Sequence, residues 1–176
     1  NRGKIFGQEG FAIDKNLRPP LPNDSELPFQ PTLLYAAKDE SFSAHLSQCN
    51  GCGGCRKETA TMCPTFVATE EEGMSTRGRA NLIRAVFDER SKLTEDPLFS
   101  VELEHALSNC LGCKACATEC PSNVNLSLLK AELLHARHQK ASIPWQALLI
   151  SEADRLGRVG TTFPALANHL LESKVT

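Results

Sequence analysis

Eight cysteines fall into two compact runs and nowhere else: Cys49, Cys52, Cys55 and Cys63 in C-N-G-C-G-G-C-R-K-E-T-A-T-M-C-P, then Cys110, Cys113, Cys116 and Cys120 in C-L-G-C-K-A-C-A-T-E-C-P. In each run three cysteines come at intervals of three, and a fourth is followed at once by proline. A disulfide framework spreads its cysteines to close long loops, whereas metal sites gather their ligands locally. Thiolates at i, i+3 and i+6 wrap three corners of a cubane and leave the fourth to another part of the chain. The spacing therefore predicts two four-cysteine sites, each for a 4Fe-4S cluster. Two zinc sites would use the same ligand type, but structural zinc takes paired C-x2-C knuckles, in which a third cysteine three residues on is unusual. Disulfides would crowd neighbouring thiols that have to find partners far away.

The second run has the bacterial ferredoxin spacing, and in that arrangement the cysteine before proline serves the other cluster. This assigns Cys49, Cys52, Cys55 and Cys120 to one site and Cys110, Cys113, Cys116 and Cys63 to the other. Gly51, Gly53, Gly54 and Gly112 let the backbone turn tightly and bring N–H groups to anionic sulfur. Arg56, Lys57 and Lys114 are placed to offset cluster charge, and Pro64 and Pro121 fix the backbone where the chain leaves each site. The two sets begin 61 residues apart and make an imperfect internal duplication, each half a cysteine loop followed by a helix.

The rest of the chain reads as helical. Phe42, His45 and Leu46 allow a short helix over 41–48 that delivers the chain to Cys49. Over 76–90, Leu82, Ile83, Val86 and Phe87 share one face of a firmer helix, with Arg77, Arg79, Arg84, Asp88 and Glu89 on the remainder. Asp96 before Pro97 is the start of a helix to about 109. Leu126, Leu129, Leu133 and Leu134 mark another that ends near Lys140. Pro144 opens one through Leu156 with Gly157 as its stop, and a last helix covers 164–172. Nothing alternates with period two, so the fold class is all-α. Residues 1–38, with Pro19, Pro20, Pro22, Pro28 and Pro31, read as an extended strap. The expected domains are that strap, a dicluster module over 39–140 and a helical extension over 141–176.

Several function classes are disfavoured. A net charge of -2 offers no excess of positive charge to hold phosphate backbones, so nucleic acid is not expected as a partner. No apolar run approaches the roughly 20 residues of a membrane span, and a cytoplasmic location is expected, with a peripheral position at the inner membrane face as a second option. Asn1 opens the chain and its first methionine, Met62, lies inside the first cysteine run, which points to a longer parent. No residue is offered as a catalytic acid, base or nucleophile, so the isolated chain is not expected to be an enzyme by itself. His135 and His138 lie three apart without a matching carboxylate or cysteine and read as an exposed helix face. His45 and His105, just before the cysteine runs, are candidates to pack near a cluster and tune it. Glu70, Glu71 and Glu72 read as a solvated turn, and Arg77 and Arg79 as facing water or holding the loop between the halves.

The double cysteine motif with its intervening helix resembles the α-helical ferredoxin domain of succinate dehydrogenase iron-sulfur subunits, heterodisulfide reductases and glycolate oxidase iron-sulfur subunits. The stretch from Phe29 to Phe87, with Cys49 to Arg56, Met62-Cys63-Pro64 and Ser75-Thr76-Arg77-Gly78-Arg79-Ala80, is closer still to large bacterial proteins that fuse an FAD-linked oxidase to this module. FAD-dependent D-2-hydroxyglutarate dehydrogenases of the fused type are the nearest match. Asn1-Arg2-Gly3-Lys4-Ile5 is similar to the asparagine-proline-glycine-lysine-isoleucine signature that closes the FAD-linked oxidase domain, with Arg2 in place of proline. The resemblance implies an oxidoreductase in which two 4Fe-4S clusters relay single electrons from a reduced flavin in an upstream domain to a further acceptor. The 2-hydroxyacid is D-2-hydroxyglutarate by overall likeness, with D-lactate and glycolate close behind. The alternatives are a separate ferredoxin-like subunit of a glycolate or succinate type complex, and a zinc-stabilised structural domain.

Overall fold

Short polar side chains set the helix starts, as expected where the first backbone N–H groups of a helix lack partners of their own. The computed structural model describes residues 23–33, 39–57, 62–88 and 96–172. Ser41 accepts from Ala44 N to open α1 (Phe42–Ser47), and Ser75 accepts from Gly78 N to open α3 (Thr76–Val86). Between them α2 (Pro64–Thr69) starts directly after Cys63, with proline at its first position. Then come α4 (Val101–Ser108), α5 (Ala115–Glu119), α6 (Leu126–Lys140), α7 (Trp145–Ser151), α8 (Ala153–Thr162) and α9 (Pro164–Glu172). Among the described residues there is no strand, and the fold is all-α as the sequence pattern predicts.

Two helices differ from expectation. Asp96 does cap a start, its carboxylate accepting from Leu98 N, but the helix it opens is the 3-10 turn Pro97–Phe99. Ser100 then interrupts it, and its hydroxyl accepts from Leu103 N to begin α4 afresh. The helix expected from Pro144 to Gly157 is likewise two. α7 ends at Ser151, and α8 runs straight through Gly157, held by the pairs Arg155–Glu152 at 2.8 Å and Arg158–Asp154 at 2.9 Å. Glycine weakens a helix interior without ending it when neighbouring turns carry such pairs.

The chain divides into two units, Asn1–Arg137 and His138–Thr176. In the first, Phe42, Leu46, Ile83, Leu98, Leu103, Leu107, Val124, Leu126, Leu129 and Leu133 are fully buried in one core. The described part of the N-terminal stretch, 23–33, carries the 3-10 turn Asp24–Glu26 and joins this core. Its Phe29 ring meets Phe42 edge-on at 5.3 Å and Phe87 at 5.7 Å. Asp24 accepts from the N–H groups of Phe42 and Ser43, both at 2.9 Å, where a carboxylate meets the positive end of α1. Further along, the buried Glu132 of α6 accepts from Thr32 N at 2.7 Å and Leu33 N at 2.8 Å. Residues 1–22 and 34–38, Glu89 and Arg90 lie outside the described residues.

Two arginines of α3 that the pattern put on its polar side are buried instead. Arg84 donates to the carbonyl of Leu46 at 2.6 Å, and Arg79 donates to Ala106 O at 2.7 Å and to Met74 O. Guanidinium groups are tolerated inside where carbonyls in the last turn of a helix accept their N–H donors. In the second unit the apolar side chains Trp145, Leu148, Leu149, Leu156, Val159 and Phe163 are all exposed.

Candidate iron-sulfur site

The internal duplication is visible in the backbone. Cys49 N donates to Leu46 O at 3.3 Å, and 61 residues on Cys110 N donates to Leu107 O at 3.1 Å. Arg56 N donates to Gly53 O at 3.0 Å, and Ala117 N to Lys114 O at 2.8 Å, the same turn at the same offset. Positive φ also recurs: Gly51 (79°) answers to Gly112 (64°), and Gly53 (77°) to Lys114 (63°). Glycine suits this left-handed region; Lys114 occupies it at a cost of roughly 1 kcal/mol. Gly54 has no such φ, and it matters by proximity: a Cβ there would lie 3.6 Å from Pro121 Cδ and 3.7 Å from Cys52 Sγ.

That proximity shows how the halves meet. Cys49, Cys52 and Cys55 of the first loop line one recess together with Cys120 and Pro121 of the second run, and Asn50, Gly53, Thr76, Arg77 and Ser122 complete its wall. Cys49 and Cys55 are buried, Cys120 is half-buried and Cys52 exposed. His45 holds the crossing from below. Its Nε2 accepts from Asn125 N at 2.9 Å, which places the ring proton on Nδ1, facing Asp39 Oδ2 at 2.8 Å. Gln48 donates to the other oxygen of the same carboxylate. His45 thus acts at the join between halves; His105 is exposed, its carbonyl accepting from Ser108 and Asn109. His135 is exposed and His138 half-buried.

The first turn of α3 touches two cysteines of the first run. Arg77 N donates to Cys55 Sγ at 3.3 Å, while Thr76 Oγ1 lies 2.8 Å from Cys63 Sγ. Thiolate at a helix N-terminus is stabilised by its N–H groups and dipole. Burial nevertheless pushes the Cys63 thiol up, against the pull of the Thr76 hydrogen bond, and the neighbouring Cys55 adds to the rise. Of the four cysteines expected at the other site, Cys63 and Cys116 share the buried core, Cys110 is half-buried and Cys113 exposed. Cys116 Sγ lies 3.9 Å from Ser127 Oγ in the first turn of α6.

Further cations lie near the cysteine runs besides those expected. Arg56 pairs with Glu72 at 2.8 Å and lies over the Phe66 ring, and Lys57 and Lys114 are exposed. Arg77, expected to face water or to hold the loop between the halves, binds Glu72 of that loop and also donates to Gly51 O at 3.4 Å over the first cysteine loop. Lys130 Nζ donates to Cys110 O at 2.5 Å, a contact that spacing along α6 gave no means to foresee. Glu70, Glu71 and Glu72 are all exposed, as a solvated turn would have them, and Glu72 also pairs with Arg56 and Arg77.

Among the described residues no three His, Cys, Asp or Glu side chains converge as around a single metal ion; the first-set thiols ring a recess instead. A soft, all-thiolate donor set spread around such a space, with glycines in the loop and the Arg77 N–H at Cys55 sulfur, fits an iron-sulfur cluster. Among the described residues no helix is long and apolar enough to cross a membrane.

Residues 45–124 match the family model of the 4Fe-4S dicluster domain. The chain is 27% identical over 157 residues to a D-2-hydroxyglutarate dehydrogenase of Pseudomonas putida, an alignment that covers 72% of this chain and 16% of the relative. It is 27% identical over 167 residues to the Escherichia coli protein of the same name, again with 16% of that relative covered. A probable glycolate oxidase iron-sulfur subunit of Bacillus subtilis is 36% identical over 103 residues, covering 58% of this chain and 21% of the relative. The chain thus spans about a sixth of the dehydrogenases and a fifth of the subunit. No solved structure matches it.

Proposed function

We propose that this chain, whose residues 45–124 match the family model of the 4Fe-4S dicluster domain, is the electron-relay module of an FAD-dependent 2-hydroxyacid dehydrogenase. Cys49, Cys52, Cys55 and Cys120 would hold one cluster, and Cys110, Cys113, Cys116 and Cys63 the other. The observation that supports this reading is the shared recess, in which three cysteines of one run stand with the fourth of the other. When bound, clusters of this kind take up and give back one electron at a time, which is how a two-electron flavin is emptied in single steps. The chain's own residues bind and shield. The thiolates would hold the cluster, Arg77 N–H donates to Cys55 sulfur, and the apolar core that includes Cys49, Cys55, Cys63 and Cys116 would keep water from the sulfur.

The names of the dehydrogenase relatives favour D-2-hydroxyglutarate as the parent's substrate, with D-lactate or glycolate as the nearest alternatives. The flavin would sit upstream in the same polypeptide. A second reading, an iron-sulfur subunit separate from its flavoprotein, is favoured by the 36% identity to the Bacillus subtilis subunit. Anaerobic purification followed by iron and acid-labile sulfide analysis, with electron paramagnetic resonance of the reduced sample, tests the central reading. About eight irons and eight sulfides per chain with reversible reduction are expected for two 4Fe-4S clusters; bound zinc without redox activity would replace the relay by a structural domain.

A further inference from the structure

Glu72 is held between two arginines beside the first cysteine loop. Arg77 grips its carboxylate with two bonds, Nε to Oε1 at 2.8 Å and Nη2 to Oε2 at 3.1 Å, while Arg56 Nε approaches Oε2 at 2.8 Å. Two guanidinium groups thus share one carboxylate, and a net positive charge remains. The third nitrogen of Arg77 is turned to the loop, with Nη1 3.4 Å from Gly51 O and 3.4 Å from where a Cβ on Gly53 would stand. Arg77 lines the same recess as Cys49, Cys52, Cys55 and Cys120, and its side chain is only 25% exposed. Lys130, the cation found beside the second run, reaches the carbonyl of Cys110.

An electron added to a thiolate-held cluster adds negative charge, and a fixed cation a few ångströms away favours the reduced form. Partial burial preserves that interaction better than full exposure would. Building on the relay reading, we propose that Arg77, oriented by Glu72, raises the reduction potential of the Cys49, Cys52, Cys55 and Cys120 site and so distinguishes it from the site of the second loop. Glu72 acts in the opposite sense, because its charge cancels part of the arginine field. Arg77 contributes in two separable ways. Its backbone N–H at Cys55 survives any side-chain change, whereas the guanidinium charge does not.

The test is a redox titration of the anaerobically purified, cluster-loaded protein, followed by electron paramagnetic resonance. The first-loop signal is identified as the one altered by Cys52→Ser. Arg77→Gln is expected to lower the midpoint of that signal and leave the other in place, with iron and sulfide content unchanged. Arg77→Lys keeps the charge and is expected to restore most of the shift, which a purely structural role would not do. Glu72→Gln is expected to move the same midpoint upward. The inference is overturned if Arg77→Gln leaves the midpoint unmoved or moves both signals alike, or if Arg77→Lys is as low as Arg77→Gln. Should Arg77→Gln lose its iron, the sign of the Glu72→Gln shift decides, and a downward or absent shift overturns it. Wild-type protein without iron and sulfide would instead bring down the relay reading itself.

Discussion

The Nε2 atom of His45 accepts the backbone N–H of Asn125 at 2.9 Å, joining positions 80 residues apart in the chain. His45 stands four residues before Cys49, and Asn125 five residues after Cys120. One hydrogen bond therefore ties the entry of the first cysteine loop to the exit of the second, where Cys120 meets the recess. Because His45 and Asp39 are both buried, the imidazole has a fixed tautomer and a fixed direction.

Replacing His45 by alanine removes that tie and takes a buried partner from Asp39. Leaving such groups unsatisfied costs about 1–3 kcal/mol, so His45→Ala is expected to lower the anaerobic melting temperature. It is also expected to reduce the iron retained by the first site more than by the second. An unchanged melting temperature with full iron content would show that the join is held elsewhere.

Among the described glycines, Gly78 leaves the least room for a side chain. A Cβ there would lie 1.8 Å from Glu72 O and 2.6 Å from Glu72 C, both backbone atoms of the turn against which α3 packs. Gly78→Ala must push this turn away, at a cost on the order of 3 kcal/mol. Gly73→Ala, in the same turn, meets nothing within 4 Å and is the control. Thermal unfolding of the two variants should separate them clearly, the first much destabilised and the second close to the parent.

The cysteine framework and the helices were legible because both rest on local spacing. α6, Leu126–Lys140, and α9, Pro164–Glu172, fall where leucine periodicity and a helix-opening proline put them. The pairing of Leu46 with Cys49 and of Leu107 with Cys110 repeats the offset between the two motifs. What was not legible depends on contacts across the fold. Arg79 and Arg84 look like polar-face residues by period, and only the carbonyls of Ala106 and Leu46, brought from other helices, explain their burial. The role of Arg77 is of the same kind, since its partners Glu72 and Gly51 lie on two different turns. α2 and α5 were missed because each is a single short turn within or just behind a cysteine run, where metal-ligand spacing hides the helical period.

Gly157 was expected to end a helix and instead lies within α8, where a Cβ would meet nothing within 4 Å. Gly157→Ala should therefore stabilise the second unit by about 1 kcal/mol, seen as a rise in helical signal on heating through its transition. A loss of stability at this position would mean that the helix does break there.

Cys120 carries the crossing of the two halves, and its substitution by serine tests that crossing most directly. In electron paramagnetic resonance of the reduced, anaerobically purified protein, Cys120→Ser is expected to alter the same signal as Cys52→Ser and to spare the one altered by Cys113→Ser. A Cys120→Ser spectrum that instead follows Cys113→Ser would mean that each run ligates its own cluster, and the crossed arrangement would be wrong.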